Sequence, residues 1–346
     1  MLEVDGSQKS GSGTILRLSL ALAAVLNEPL HIYKIRQRRP QPGLRPQHLE
    51  AVLTATKICN AETRGAELGS RELWFRPAGI TGGNVQAEIG TAGSIPMLLL
   101  TILPLCAFAR KTVRVHVTRG GTDVRHAPTI NYIKHILLPV LKRSGLKAIL
   151  QVKKYGYYPK GMGEISLEVQ PCSELKPLRL EGSGQVEQIR GESVCTFLAE
   201  RKVAERQAKA ANNILKTHGY EAQIQIVNDM SNPLQKGSSL VLWAKTSTSA
   251  ILGGDAIGEL RKPSEAVGKE AAENLVKETE AKATVDVHLA DMLVPYVALA
   301  KGESTYLCRS ITEHVDTNIW LAQEILGVKF EVSRVRGLYR IRKLGA

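Results

Sequence analysis

LEVDGSQKSGSGTILRLSLALAAVLNEPLHIYKI, residues 2–35, decides the fold class of this chain. A strand-like run, LEV, enters a turn carrying Gly6, Gly11 and Gly13. An apolar helix follows from about Thr14 to Leu26, and a second strand-like run, HIYKI, closes the unit. Strand, helix and strand in succession spell an α/β chain. Ile15, Leu16, Leu18, Leu20, Leu22, Val25 and Leu26 leave the helix almost no polar face, so it must be buried on nearly all sides. A helix anchored in this way points its free N–H groups and positive dipole end into the glycine turn, where Arg17 adds a full charge. That makes an anion site; a glycine turn that merely admits a core helix accounts for the segment equally. The turn is no Walker loop, because Lys9 precedes the glycines and no G-K-[ST] follows, and it lacks the G-x-G-x-x-G spacing.

Directly after this unit comes IRQRRPQPGLRPQH, residues 35–48, with Arg36, Arg38, Arg39 and Arg45 interleaved with three prolines. Proline fixes φ and restricts its predecessor, so the arginines stand on a stiff loop that loses little entropy when an anion arrives. A guanidinium fork matches phosphate oxygens two at a time. Taken alone, the loop also reads as a solvated charged turn.

The alternation continues down the chain. A helix is expected from about Gln47 to Asn60, strands at ELWFRP and NVQAEI, a buried helix from Ile95, and a strand at TVRVHV. A helix from about Thr129 to Leu141 and a strand near Ala148 to Lys153 complete this stretch. GSRELWFRP (69–77) and GMGEISLEVQP (161–171) are both glycine-led strands closed by proline, a hint of internal repetition. After Pro171 the composition turns polar, and residues 184–276 read as an inserted smaller domain. Its first helix, about Glu200 to Lys216, sets Val203, Gln207, Ala211, Ile214 and Leu215 on one face. Residues 1–183 and 277–346 form the larger domain, returning through HLADMLVPYVALA, STYLC, a helix from about Thr317 to Leu326, and KFEVSRV.

With 346 residues, 43% of them hydrophobic, the chain is long enough for a large core. A net charge of +13 favours a polyanionic partner, while only 5% aromatic residues argue against a stacking platform for long single strands. Nucleic acid, engaged at its end, fits both. Five scattered cysteines, none at metal-ligand or redox spacing, suit a reducing cytosol. No secretory signal opens the chain, and the run Ile95–Ala109 is too short for a bilayer and holds two prolines, so no membrane role and a cytoplasmic location are expected.

Three further segments bear on chemistry. GGTDVRHAPTINY (120–132) reads as a turn and helix entry. TEHVDTN (312–318) sets His314 in a polar loop, and His48 ends the arginine loop, so either imidazole is a candidate for chemistry near neutral pH. No HExxH, G-x-S-x-G or CxxC occurs, which leaves zinc and serine hydrolase chemistry without support.

DGS with GSGTILR, IRQRRPQPGLRPQHL, AELGSRELWFRP, GTAGS, GGTD with AP, GYYPKGMGE, TVDVHLADML and EHVDTN occur in one order along nearly the whole chain. In this the sequence resembles the RNA 3'-terminal phosphate cyclase family. The resemblance implies a large domain of three repeated units, each a four-stranded sheet with two helices, plus a smaller inserted domain. It implies ATP-dependent conversion of an RNA 3'-phosphate into a 2',3'-cyclic phosphate, with release of AMP and pyrophosphate. By position, His314 would be the nucleophile that becomes adenylylated. Arg17, Arg36 and Arg39 would neutralise phosphate charge, with Gln47 and His48 donating or accepting hydrogen bonds. Leu100, Pro128 and the segment His288, Leu289, Ala290, Asp291 and Met292 would line the ATP pocket, with Mg²⁺ or Mn²⁺ bridging phosphates; the metal's protein ligands are not assigned.

The chain departs from the family pattern at several of these places. Ser10 replaces a glutamate that would contact metal, Leu100 and Met292 stand where glutamines are usual, Met162 replaces the middle glycine of a triplet, and Tyr155 stands where a basic residue is common. These departures leave open a non-catalytic RNA-binding relative of the cyclases. An enolpyruvyl transferase, which shares the repeat architecture, lacks its own motifs here.

Overall fold

The structure, a computed structural model, describes residues 1–345. Its first unit runs β1 (Leu2–Asp5), α1 (Gly13–Leu26), β2 (Leu30–Tyr33), α2 (Pro46–Cys59), β3 (Glu62–Arg64) and β4 (Leu73–Arg76). The sheet order is β1-β2-β4-β3, with β1 parallel to β2 and the other neighbours antiparallel. Ser12 caps α1, its hydroxyl accepting from the Thr14 amide, and Asn27 ends the helix in the left-handed conformation.

The second unit repeats this path with β5 (Gly83–Glu88), α3 (Ile95–Cys106) and β6 (Val113–Gly120). A helix follows that opens as α4 (Ile130–Tyr132), widens into a π-helical turn at Ile133–Leu137 and closes as α5 (Leu138–Arg143); β7 (Ala148–Lys154) and β8 (Gly163–Val169) complete the unit. The order β5-β6-β8-β7 is that of the first sheet. The strands alike in sequence, β4 and β8, are thus the equivalent fourth strands of the two units.

A third unit begins at the short β9 (Arg179–Leu180), and the chain then leaves it to build another sheet. That excursion consists of β10 (Val186–Thr196), a 3₁₀ turn at Ala199–Arg201, α6 (Val203–Thr217), β11 (Ala222–Asp229), β12 (Gly237–Thr246), β13 (Ile251–Ile257) and α7 (Ser264–Glu280), in the order β11-β10-β12-β13. The expected boundary at 276 falls inside α7. The third unit resumes with α8 (Val287–Leu299), β14 (Ser304–Cys308), α9 (Glu313–Leu326), β15 (Phe330–Val335) and β16 (Leu338–Lys343), in the order β15-β16-β14-β9. Read from β9, this is the same strand sequence as in the other two sheets.

In the repeated units the helices gather inside. α1 packs on α2, α3 and α9, and α8 packs on α9 and α3. Strands such as β4 and β8 alternate, burying one face against this helical centre. α1 is buried along nearly its whole length because neighbours surround it, as its unbroken apolar composition requires. The additional sheet is tied to the second unit through Glu192 of β10. Asn131, His135 and Tyr155 all approach its carboxylate, at 2.9, 2.9 and 3.1 Å. Tyr155 therefore has a buried structural partner where a basic residue was the expected type.

One helix start differs from expectation in a way that matters. α9 begins at Glu313, four residues before the expected start at Thr317, because Thr312 caps it, its hydroxyl accepting from the Val315 amide at 3.1 Å. His314 accordingly stands in the first turn of a helix and not in a loop. α6 begins later than expected, at Val203.

Met162, where the resemblance implies a glycine, has φ 63°, the left-handed region that glycine occupies without strain. Met162→Gly is expected to raise stability by about 0.5–1 kcal/mol, since removal of the strain outweighs the added backbone entropy of the unfolded chain. Urea denaturation checks this; a lower midpoint at constant slope would mean that contacts of the methionine side chain outweigh the strain.

Candidate active site

Two helix N-termini from opposite ends of the chain meet at the site. Ser10 N donates to Thr317 Oγ1 at 3.3 Å, and the Thr14 hydroxyl lies 3.1 Å from His314 Nδ1. Arg17, one turn into α1, donates from Nη2 to the same Thr14 oxygen at 3.1 Å. The first turns of α1 and α9, the natural anion-binding ends of both helices, thus place an imidazole and a guanidinium around one hydroxyl.

Beside them opens a cavity of about 600 Å³ whose lining includes Arg17, Leu100, Pro128, His288, Asp291, Met292 and His314, each singled out from the sequence. Leu289 and Ala290 were expected there and are not: both are fully buried in the core. On a helix, residues 288, 291, 292 and 295 share the face toward the cavity, while 289 and 290 fall on the other side. The cavity has a wall that sequence reasoning missed. Val124 to Ala127 line it from the turn before α4, and Asp255 to Ile257, Glu259, Lys262 and Asn274 line it from β13, the loop after it and α7.

The arginine loop flanks this cavity. Arg36 donates to the carbonyls of Gln41 and Gly43, at 2.7 and 2.9 Å, so it also staples its own loop. Arg39 is exposed, and its charge reaches both Arg17 and His314. Gln47 faces another way, its Oε1 accepting from the Ser94 amide at 2.7 Å where α3 begins.

His48 is buried, and its Nδ1 accepts from the Arg45 amide at 3.4 Å. The proton of the neutral ring is therefore on Nε2, which lies against Gly13 so closely that a Cβ there would collide with it. Burial first, then Arg17, Arg36 and Arg45, push the His48 pKa down to about 2. The unfolded chain binds a proton near pH 6.5 that the folded chain refuses, so His48 removes stability as pH falls below 6.5, by about 1.4 kcal/mol per unit. The stability difference between wild type and His48→Gln is expected to shrink at that rate between pH 6.5 and 5. Calorimetric melting of both proteins measures it, and a constant difference would show that the buried ring takes up a proton.

His314 is also shifted down, by burial and then by Arg17 and Arg39, so it is neutral at pH 7 with Nε2 free of any partner among the described residues. Burial lowers Arg17 to about 10, which leaves it charged, and it forms no ion pair among the described residues. Asp291 is the acid whose charge offsets it, and burial raises that carboxyl to about 7. The site therefore holds an excess of positive charge beside a neutral imidazole. The side chains present do not fit a resident divalent ion. Among the described residues no three His, Cys, Asp or Glu converge, and the buried Ser10 offers only a hydroxyl, 2.9 Å from that of Ser12.

The RNA 3'-terminal phosphate cyclase family profile matches residues 8–332. Among proteins so named, that of Pyrococcus furiosus is 42% identical over 96% of this chain and 95% of its own length. Those of Methanosarcina mazei (40% identical; 99% and 99%) and Pyrobaculum aerophilum (41%; 99% and 98%) are similar over nearly the full length of both chains. Among solved structures, the enolpyruvyl transferase NikO from Streptomyces tendae aligns at 11% identity over 99% of this chain and 48% of its own, with a TM-score of 0.38, too low to carry an argument. The matches to the family profile and to full-length relatives leave one conclusion: this chain belongs to the RNA 3'-terminal phosphate cyclase family.

Proposed function

We propose that the protein is an ATP-dependent RNA 3'-phosphate cyclase working through an adenylylated His314. The observation that carries this reading is the juxtaposition of a neutral His314, held through Nδ1 by Thr14, with the unpaired Arg17 at the wall of a nucleotide-sized cavity. His314 Nε2 attacks the α-phosphorus of ATP, and the bond to the leaving pyrophosphate breaks. As the ring takes on positive charge, Nδ1–H donates to Thr14 Oγ1, whose other lone pair already accepts from Arg17. An oxygen of the RNA 3'-phosphate then displaces the histidine and takes the AMP. The neighbouring 2'-hydroxyl attacks the 3'-phosphorus, loses its proton and releases AMP. Each displacement develops charge on phosphate oxygens, and Arg17, with Arg36 and Arg39 behind it, stabilises that charge.

His288 and Pro128 border the base, and Asp291 lies near the adenine or the ribose. Gln47 acts by holding the start of α3, and Arg36 partly by shaping its loop. Any divalent ion arrives with the nucleotide's phosphates and is held by them. Residues 184–276, extended to the end of α7, form an inserted domain that contributes one wall of the cavity. A cytoplasmic site of action fits the five unpaired cysteines, four of them buried, and no described helix is long and apolar enough to cross a membrane. The non-catalytic alternative is not favoured, because His314 is held and oriented.

The test is direct. RNA ending in a 3'-phosphate should, with ATP, become resistant to phosphatase and yield a 2',3'-cyclic end. RNA that binds but stays phosphatase-sensitive would favour the non-catalytic alternative.

A further inference from the structure

We propose that the outer edge of β13 reads the base of the nucleotide, through the Asp255 carbonyl and the Ile257 amide. The inference rests on the reading of this cavity as an ATP site. β13 is an edge strand, paired only with β12. Which of its backbone groups face outward follows from the ladder. Gly258 N donates to Ser238 O and Thr246 N to Ala250 O, so the even-numbered residues of β13 bond to β12. The odd-numbered ones face away. Three contacts agree: Gly253 N donates to Asp286 Oδ2 at 2.9 Å, Asn274 Nδ2 to Asp255 O at 3.3 Å, and Lys262 Nζ to Ile257 O at 3.1 Å. The amides of Asp255 and Ile257 point the same way, and nothing among the described residues receives them.

This edge faces the cavity. Side chains 255 and 257 project to one face of the sheet and 256 to the other, yet all three residues line the cavity, together with Asn274 and Lys262. Only a cavity lying along the strand's edge touches both faces. Of the cavity's side chains, Pro128 has no donor, Met292 and Leu100 are apolar, and Asn274 Nδ2 and Lys262 Nζ are already turned to β13's own carbonyls. An outward carbonyl at one position and an outward amide two residues on form an acceptor and a donor side by side. Adenine matches them with N6–H and N1. Guanine presents O6 and N1–H, which sets acceptor against acceptor and donor against donor, so the edge selects adenine.

The test compares adenylylation efficiency, kcat/KM, for ATP, 1-deaza-ATP and 3-deaza-ATP in wild type and in Ile257→Pro. Proline removes an amide that takes no part in the ladder, a substitution an edge strand accommodates. In wild type, 1-deaza-ATP should be about tenfold poorer than ATP, with 3-deaza-ATP within about twofold. In Ile257→Pro the efficiency with ATP should fall about tenfold, to the level of 1-deaza-ATP. The proposal is overturned if wild type uses 1-deaza-ATP as well as ATP, or if folded Ile257→Pro keeps the discrimination. Should the variant not fold, the wild-type comparison decides. If label reaches His314 equally from both nucleotides, base reading fails and the cyclase reading stands; if no nucleotide labels the protein, both fail.

Discussion

His314→Asn is expected to lower cyclisation by at least about four orders of magnitude while the protein remains folded. The step lost is the proposed covalent one: His288 also lines the cavity, but His314 is the imidazole that shares the Thr14 hydroxyl with Arg17, and an amide cannot replace it as nucleophile. What stability loses is small, because the ring contributes one hydrogen bond to Thr14, worth about 1 kcal/mol. Adenylylation by the wild type should also persist as pH falls through 6.5, since burial, Arg17 and Arg39 hold the His314 pKa below the ordinary value. A rate that halves near 6.5 would place the ring in a more watery setting than the one described.

Arg17→Met is expected to act in opposite directions on chemistry and stability. Arg17 is a buried charge with no ion pair among the described residues; Asp291, itself pushed up to about 7 by burial, offsets it only in part, and Arg36 and Arg39 oppose it. Methionine fills similar space without the cost of burying an incompletely compensated charge, so the melting temperature should be unchanged or higher. Adenylylation efficiency should nonetheless fall about a thousandfold, as expected for a charged group stabilising phosphate charge in a water-poor site. A variant that melts earlier and retains activity would make Arg17 a structural residue.

Much of this was legible in the sequence, for reasons that particular residues make plain. α1 was clear because no polar face interrupts Ile15 to Leu26, and its burial among α2, α3 and α9 follows. The repeat was visible only at β4 and β8, where glycine and proline punctuate equivalent strands; β9, two residues long, carries no pattern at all. α7 was missed because small residues, Gly268 set close against Gln207 of α6 and Ala271 and Ala272 beside it, interrupt the apolar stripe of Val267, Leu275 and Val276. In the site, Arg17, His288, Asp291 and His314 stood out, whereas Arg125, Glu259 and Lys262 carried no pattern that set them apart from other surface charges. Leu289 and Ala290 were misplaced because a whole segment was assigned to the pocket where helical periodicity admits only one face. The β13 wall was hidden for a deeper reason: its contribution is backbone, and only the pairing of strands decides which amides face outward.

The most direct measurement is covalent capture. Incubation with α-³²P-labelled ATP, denaturation and proteolytic mapping should leave label on one peptide containing His314, stable to alkali and lost in acid, as a phosphoramidate requires. Label absent from that peptide, or unchanged in His314→Asn, would contradict the account.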